Sequence, residues 1–133
     1  MKMILYVDDQ AFLSKILRHF LEEIGGFELI YARSVEEARK IITEQGRNIH
    51  LCLIDIMMPL EKDLEDPHDK VGHSTGLRLS QWIKSELPDV HIWAITVRYN
   101  LTDKELEKSG ISKLITIPFD PNELLQSINH NLS

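Results

Sequence analysis

The chain has 133 residues, enough for one compact domain with its own core. With 43% hydrophobic and 27% charged residues, its composition is that of an ordinary globular protein, which excludes disorder as a description of the whole. A formal net charge of −6 speaks against the broad basic face of a nucleic-acid binder, and no apolar run approaches the ~20 residues of a membrane span.

Strand and helix patterns alternate along the sequence. Met3–Val7 is a short apolar strand, followed by a helix whose stripe is Leu13, Ile16, Leu17, Phe20, Leu21 and Ile24, ended by Gly25-Gly26. Phe27–Ala32 reads as the second strand. Ser34 and Glu37 form a capping box for a helix through about Gln45. Ile49–Ile54 is the third strand, apolar after His50, as a strand covered on both faces should be. A polar loop over 60–75 leads to a helix over Gly76–Leu87, ended by Pro88. Val90–Val97 is the fourth strand. Thr102 and Glu105 start a short helix that stops near Gly110, and Lys113–Ile117 is the fifth strand. Asp120, with Pro121 at the first helical position, opens a final helix carrying Leu124, Leu125, Ile128 and Leu132. This alternation predicts an α/β fold, a doubly wound parallel sheet of five strands with five helices, forming a single domain over 1–133. Cys52, the one cysteine, lies in the third strand, where a buried, inert thiol is expected and no intrachain disulfide can form. Met1-Lys2 runs directly into the first strand with no secretory pattern, so a soluble, cytoplasmic protein is expected.

Ligands of such folds sit beyond the carboxyl ends of the strands. There the first strand ends in Asp8-Asp9, the third in Asp55, the fourth in Thr96 and the fifth in Ile117-Pro118. Two unit charges ~4 Å apart repel by about 4 kcal/mol at an effective dielectric of ~20. Three carboxylates on one edge therefore call for a counter-charge or a raised pKa, and a hard divalent cation such as Mg²⁺ is the economical answer. Each residue also has a plainer reading. Asp8 or Asp9 could cap the first helix, Asp55 could serve the turn before Met58-Pro59, and Thr96 could be an ordinary β-branched strand end.

Over essentially its whole length the sequence resembles the receiver domains of two-component response regulators. The resemblance rests on Val7-Asp8-Asp9, the run Leu53-Ile54-Asp55-Ile56-Met57-Met58-Pro59, Ala94-Ile95-Thr96, and Pro118-Phe119-Asp120-Pro121. It implies that Asp55 takes a phosphoryl group from a phosphohistidine on a sensor histidine kinase or histidine phosphotransferase. It further implies that Asp8, Asp9, an Asp55 oxygen and the Met57 backbone carbonyl hold Mg²⁺. Thr96 would contact the phosphoryl group and report it to the helix 4–strand 5–helix 5 face, which would dock a downstream protein or a second copy. The same resemblance implies a cis Ile117-Pro118 peptide bond.

Three departures stand against that pattern. Receivers carry a lysine immediately before the strand-five proline, where this chain has Ile117. Lys113 is four residues back, ~13 Å along a strand, and Arg98, two residues past Thr96, is the candidate substitute for the missing charge. The usually aromatic switch position on strand five is Leu114, and Tyr99 is the nearest aromatic in sequence. The third departure is the loop Leu60–Thr75, whose acidic and histidine residues have no metal-ligand spacing and which reads as a mobile polar segment able to shield the site or meet a partner.

Ile117 and Leu114 motivate an alternative, a pseudo-receiver that binds its partner independently of phosphate. A flavin-binding protein of similar topology fits poorly, because Asp8-Asp9 would repel a flavin phosphate. An aspartate-based phosphatase fits poorly too, since Met57 stands where a second aspartate is needed. The last predicted helix runs close to Ser133, so both a stand-alone receiver and the front of a longer regulator fit the sequence.

Overall fold

A computed structural model describes residues 2–58, 75–97 and 101–132. Among these residues the chain forms one parallel sheet of five strands, β1 (Met3–Val7), β2 (Glu28–Ala32), β3 (Ile49–Asp55), β4 (His91–Thr96) and β5 (Lys113–Thr116). The spatial order is β2-β1-β3-β4-β5. The chain therefore winds outward from β1 to one side and from β3 to the other, which leaves a crevice at the carboxyl ends of β1 and β3. The strands follow their expected positions to within a residue or two, with Asp55 closing β3 as its last residue.

The period-2 alternation of the strands divides the core into two layers. Leu5, Val7, Cys52, Ile54, Ile92 and Ala94 face one side, where α2 (Val35–Gln45), α3 (Thr75–Glu86) and α4 (Asp103–Lys108) pack. Ile4, Tyr6, Leu51, Leu53, Trp93 and Ile95 face the other, under the first helix, α1 (residues 11–24), and α5 (Pro121–Leu132). Cys52 is fully buried, and that burial pushes its thiol up to about 12, so it is a packing group.

The caps form where the sequence places them. Ser34 Oγ accepts from the Glu37 amide at 3.0 Å, while the Glu37 carboxylate reaches back to the Arg33 amide at 2.6 Å. Thr102 Oγ1 accepts from the Glu105 amide at 3.1 Å, and Asp120 Oδ1 from the Asn122 amide at 2.9 Å.

Helix α1 departs from expectation. It runs as a 3₁₀ turn (Ala11–Leu13), an α-helical segment (Ser14–Arg18) and a π-helical segment (His19–Ile24). Leu13, Leu17 and Leu21 are buried, but Ile16 and Ile24, expected on the same stripe, are exposed. The buried leucines are four apart, and each such step overshoots an ideal α-helical turn by about 40°. The wider i→i+5 turn, closed by the Gly25 amide on the Phe20 carbonyl at 3.0 Å, takes Ile24 off the stripe, while Ile16, in the α-helical segment, is about 100° behind Leu17 and off the stripe by ordinary α-helical geometry. Gly26 then ends the helix with a φ of 75°, the left-handed value that glycine accommodates.

Candidate metal and phosphoryl site

The crevice at β1 and β3 gathers three acids. Asp8, Asp9 and Asp55 each present a carboxylate oxygen, and these oxygens lie within 4.8 Å of one another. Asp8 is buried, whereas Asp9 and Asp55 are partly exposed. Neither Asp8 nor Asp9 is the cap of α1. That position is Gln10, which makes no side-chain capping bond.

Asp8 is held from several directions. Its Oδ1 accepts from the Gln10 amide at 2.9 Å, and its Oδ2 accepts from the Tyr6 hydroxyl. Its backbone carbonyl accepts from the Tyr31 hydroxyl at 2.8 Å, and its amide donates to the Ala32 carbonyl at 3.1 Å. Tyr6 and Tyr31 are register partners on β1 and β2, with rings stacked at 5.4 Å and 22°. Burial, followed by the bond to Asp8, pushes the Tyr6 hydroxyl far above its ordinary value, so it remains a donor.

Asp55 follows Ile54 at the end of β3, and its Oδ1 accepts from the Met57 amide at 3.1 Å. The turn beyond it is tightly packed. A Cβ on Gly76 would lie 2.4 Å from the Asp55 carbonyl oxygen and 2.5 Å from Ile56 Cα. Glycine is thus required for the start of α3 to close against this turn, where the Gly76 amide donates to the Ile56 carbonyl at 2.9 Å. The Asp55 carboxyl is pushed up to about 8, chiefly by burial and next by the charge of Asp8, against the lowering effect of the Met57 amide. A protein carboxyl with that affinity for a proton, beside two more acids, has the all-oxygen donor set of a hard divalent cation. The residues present fit Mg²⁺.

These features lie on the sheet edge expected of a signalling receiver, and comparison with known proteins decides the family. The chain matches the response regulator receiver domain family over residues 4–129. It belongs to that family, and with it to two-component signalling. The receiver is 28% identical over 130 residues to the transcriptional regulatory protein YvrH of Bacillus subtilis (strain 168), covering 97% of this chain and 48% of that protein. It therefore spans about half the length of this curated relative. Among solved structures, a CheY-like receiver domain protein from Methanospirillum hungatei JF-1 superposes with a TM-score of 0.80 at 25% identity, covering 99% of this chain and 94% of the other. A receiver domain protein from Clostridium thermocellum gives 0.74 at 28% identity, with coverage of 98% and 93%.

On the β4–β5 side of the receiver, Thr96 is fully buried, and its carbonyl accepts from the Ile117 amide at 2.9 Å. Position 117 is thereby held next to Thr96. The Ile117 side chain packs against the α1/α5 layer together with Ile115 and Phe119. The Ile117-Pro118 bond is cis, as expected. Leu114 packs against the opposite layer. Lys113 pairs in register with Trp93, whereas Thr116 pairs with Thr96, so its backbone is three rungs below the edge. Its amine bonds Ser127 Oγ at 3.0 Å and lies 5.1 Å from the centre of the Trp93 ring. Arg98, Tyr99 and the polar loop up to Ser74 lie outside the described residues. Among the described residues no helix is long and apolar enough to cross a membrane.

The sequence reading missed Tyr6, Tyr31 and the Gln10 amide. The signal for Tyr6 was present: it stands two residues before Asp8, hence on the same strand face, and is a hydroxyl in an otherwise apolar strand.

Proposed function

We propose that this receiver accepts a phosphoryl group on Asp55 from the phosphohistidine of a sensor histidine kinase or histidine phosphotransferase. The observation that carries the reading is the convergence of Asp8, Asp9 and Asp55 oxygens within 4.8 Å. In the transfer, a carboxylate oxygen of Asp55 forms a bond to phosphorus as the phosphorus–nitrogen bond breaks. The electron pair of that bond returns to the imidazole, and the product is an aspartyl phosphate.

Asp8, Asp9 and Asp55, with the Met57 carbonyl, would hold Mg²⁺, which when bound supplies neutralisation of the transferring phosphoryl charge. Asp55 must react ionised, and a neighbouring cation favours that form. The Met57 amide fixes one oxygen of the nucleophile and thus orients the group. Thr96 supplies a hydroxyl at the same edge for a phosphoryl oxygen, and its movement would bias the α4–β5–α5 face toward a downstream protein. Phe12, Met57 and Val97, exposed on segments that leave this edge, offer apolar surface to a donor protein.

One observation favours a second reading. The half-buried Ile117 presents an apolar side chain where the family places a cation, which suits a pseudo-receiver that binds its partner without phosphate. Incubation with acetyl phosphate or phosphoramidate and Mg²⁺, followed by intact-mass measurement, separates the two. The first reading expects a gain of one phosphoryl group that is absent in Asp55→Asn. No gain from any donor supports the second.

A further inference from the structure

We propose that Tyr6 is a positioning residue for the acidic site, its hydroxyl holding the Asp8 carboxylate in the orientation that receives a divalent cation. The inference rests on the Mg²⁺ part of the function proposed above and adds a residue outside the acidic cluster to that site. Asp8 is the most buried of the three acids, so its carboxylate has the least water to orient it. Its two oxygens are fixed separately, Oδ1 by the Gln10 amide and Oδ2 by the Tyr6 hydroxyl. The first bond is local to the turn. The second ties the carboxylate to the sheet, because Tyr6 is fully buried within β1.

Tyr31 reinforces the arrangement from the neighbouring strand. Its ring stacks on that of Tyr6, and its hydroxyl holds the Asp8 backbone carbonyl. Asp8 is therefore tied to the two tyrosines through both its side chain and its main chain. A carboxylate oxygen offers two lone pairs, so a hydroxyl on Oδ2 leaves room for a cation on the same oxygen. Groups that orient metal-binding carboxylates in this way commonly change metal affinity 10- to 100-fold when removed.

The test uses Tyr6→Phe, which keeps the ring and its stacking and removes only the hydroxyl. Mg²⁺ affinity is measured by calorimetric titration, and phosphoryl gain from acetyl phosphate is followed across Mg²⁺ concentrations. The expected result is a dissociation constant for Mg²⁺ raised about tenfold, with the phosphorylation rate at saturating Mg²⁺ close to wild type. A purely structural role would lower metal-free thermal stability and leave the dissociation constant unchanged, and that result overturns the inference. An independent readout needs no variant. The Tyr6 hydroxyl proton should remain slow to exchange by NMR when Mg²⁺ saturates the wild type, and its loss to solvent on metal binding also overturns the inference. The two ideas fail separately. Wild type that binds Mg²⁺ but gains no phosphoryl group defeats the phosphoacceptor reading and leaves the affinity shift as support for Tyr6. Equal Mg²⁺ affinity in wild type and Tyr6→Phe defeats the role of Tyr6 alone. Wild type with no Mg²⁺ binding at all defeats both.

Discussion

The carboxyl edge of the sheet has two halves built on different principles. The β1–β3 half is over-determined: Asp8 is held through both oxygens, its carbonyl and its amide, and Asp55 is oriented by the Met57 amide against a turn that Gly76 packs closely. The β4–β5 half keeps Thr96 and the backbone bond that joins it to Ile117, but an apolar side chain fills the position where the family carries a cation. Under the proposed function, binding a divalent cation and stabilising a phosphoryl group would be separable demands on one edge. The first would fall to carboxylates whose oxygens lie within 4.8 Å, and the second would lack a charge-assisted contact.

The largest test of that contrast is Ile117→Lys. The Ile117 amide bond to the Thr96 carbonyl keeps this position beside Thr96, so a lysine there starts from the right backbone. A hydrogen bond to a charged group contributes roughly 1.5–3 kcal/mol, which corresponds to about tenfold to over a hundredfold in rate. The expected outcome is acceleration of acetyl-phosphate labelling by that factor with little change in Mg²⁺ affinity, measured by timed intact-mass sampling. An unchanged rate would mean that the two halves are not separable in this way.

Next in size is the effect of pH on the β1–β3 half. The Asp55 carboxyl is raised from 3.8 to about 8 in the metal-free fold, mainly by burial and then by Asp8. Between those values the folded protein holds a proton that the unfolded chain releases. The metal-free contribution of Asp55 to stability is therefore fully present below about 3.8 and is lost as pH rises through about 8. Cation binding must displace the same proton, so Mg²⁺ affinity should rise by up to about tenfold per pH unit toward about 8 and level off above it. Calorimetric titration at pH 6, 7 and 8 checks the slope, and urea denaturation of wild type and Asp55→Asn checks the stability, whose fall with rising pH through about 8 should be smaller in the variant.

Much of this is legible in the sequence. The apolar β3 run, the period-2 strands and the Ser34, Thr102 and Asp120 caps are local signals, written in residues that touch their neighbours in sequence. Doubly wound topology then brings Asp55 to the same edge as Asp8 and Asp9, although it is far from them in the chain. The exposure of Ile24 was not legible, because a regular helical period conceals a π-helical segment. Nor was the aim of Tyr6, since a tyrosine in a buried strand is ordinarily a packing residue and its hydroxyl acquires meaning only from what lies above it.

The smallest expected effect falls on Lys113, the lysine nearest in sequence to the missing one. Its amine is engaged within the α5 side of the sheet, by Ser127 Oγ at 3.0 Å and the face of Trp93 at 5.1 Å. Pairing with Trp93 puts its backbone three rungs from the Thr96–Thr116 pair, roughly 10 Å at 3.3 Å per residue. Lys113→Met retains an apolar stem and removes the charge, so it should cost about 1 kcal/mol of stability in urea denaturation. Mg²⁺ affinity and phosphoryl gain should both stay within twofold of wild type. A tenfold fall in phosphoryl gain with unchanged stability would place the Lys113 charge in the reaction, and the β4–β5 half would then not be the apolar side of the edge.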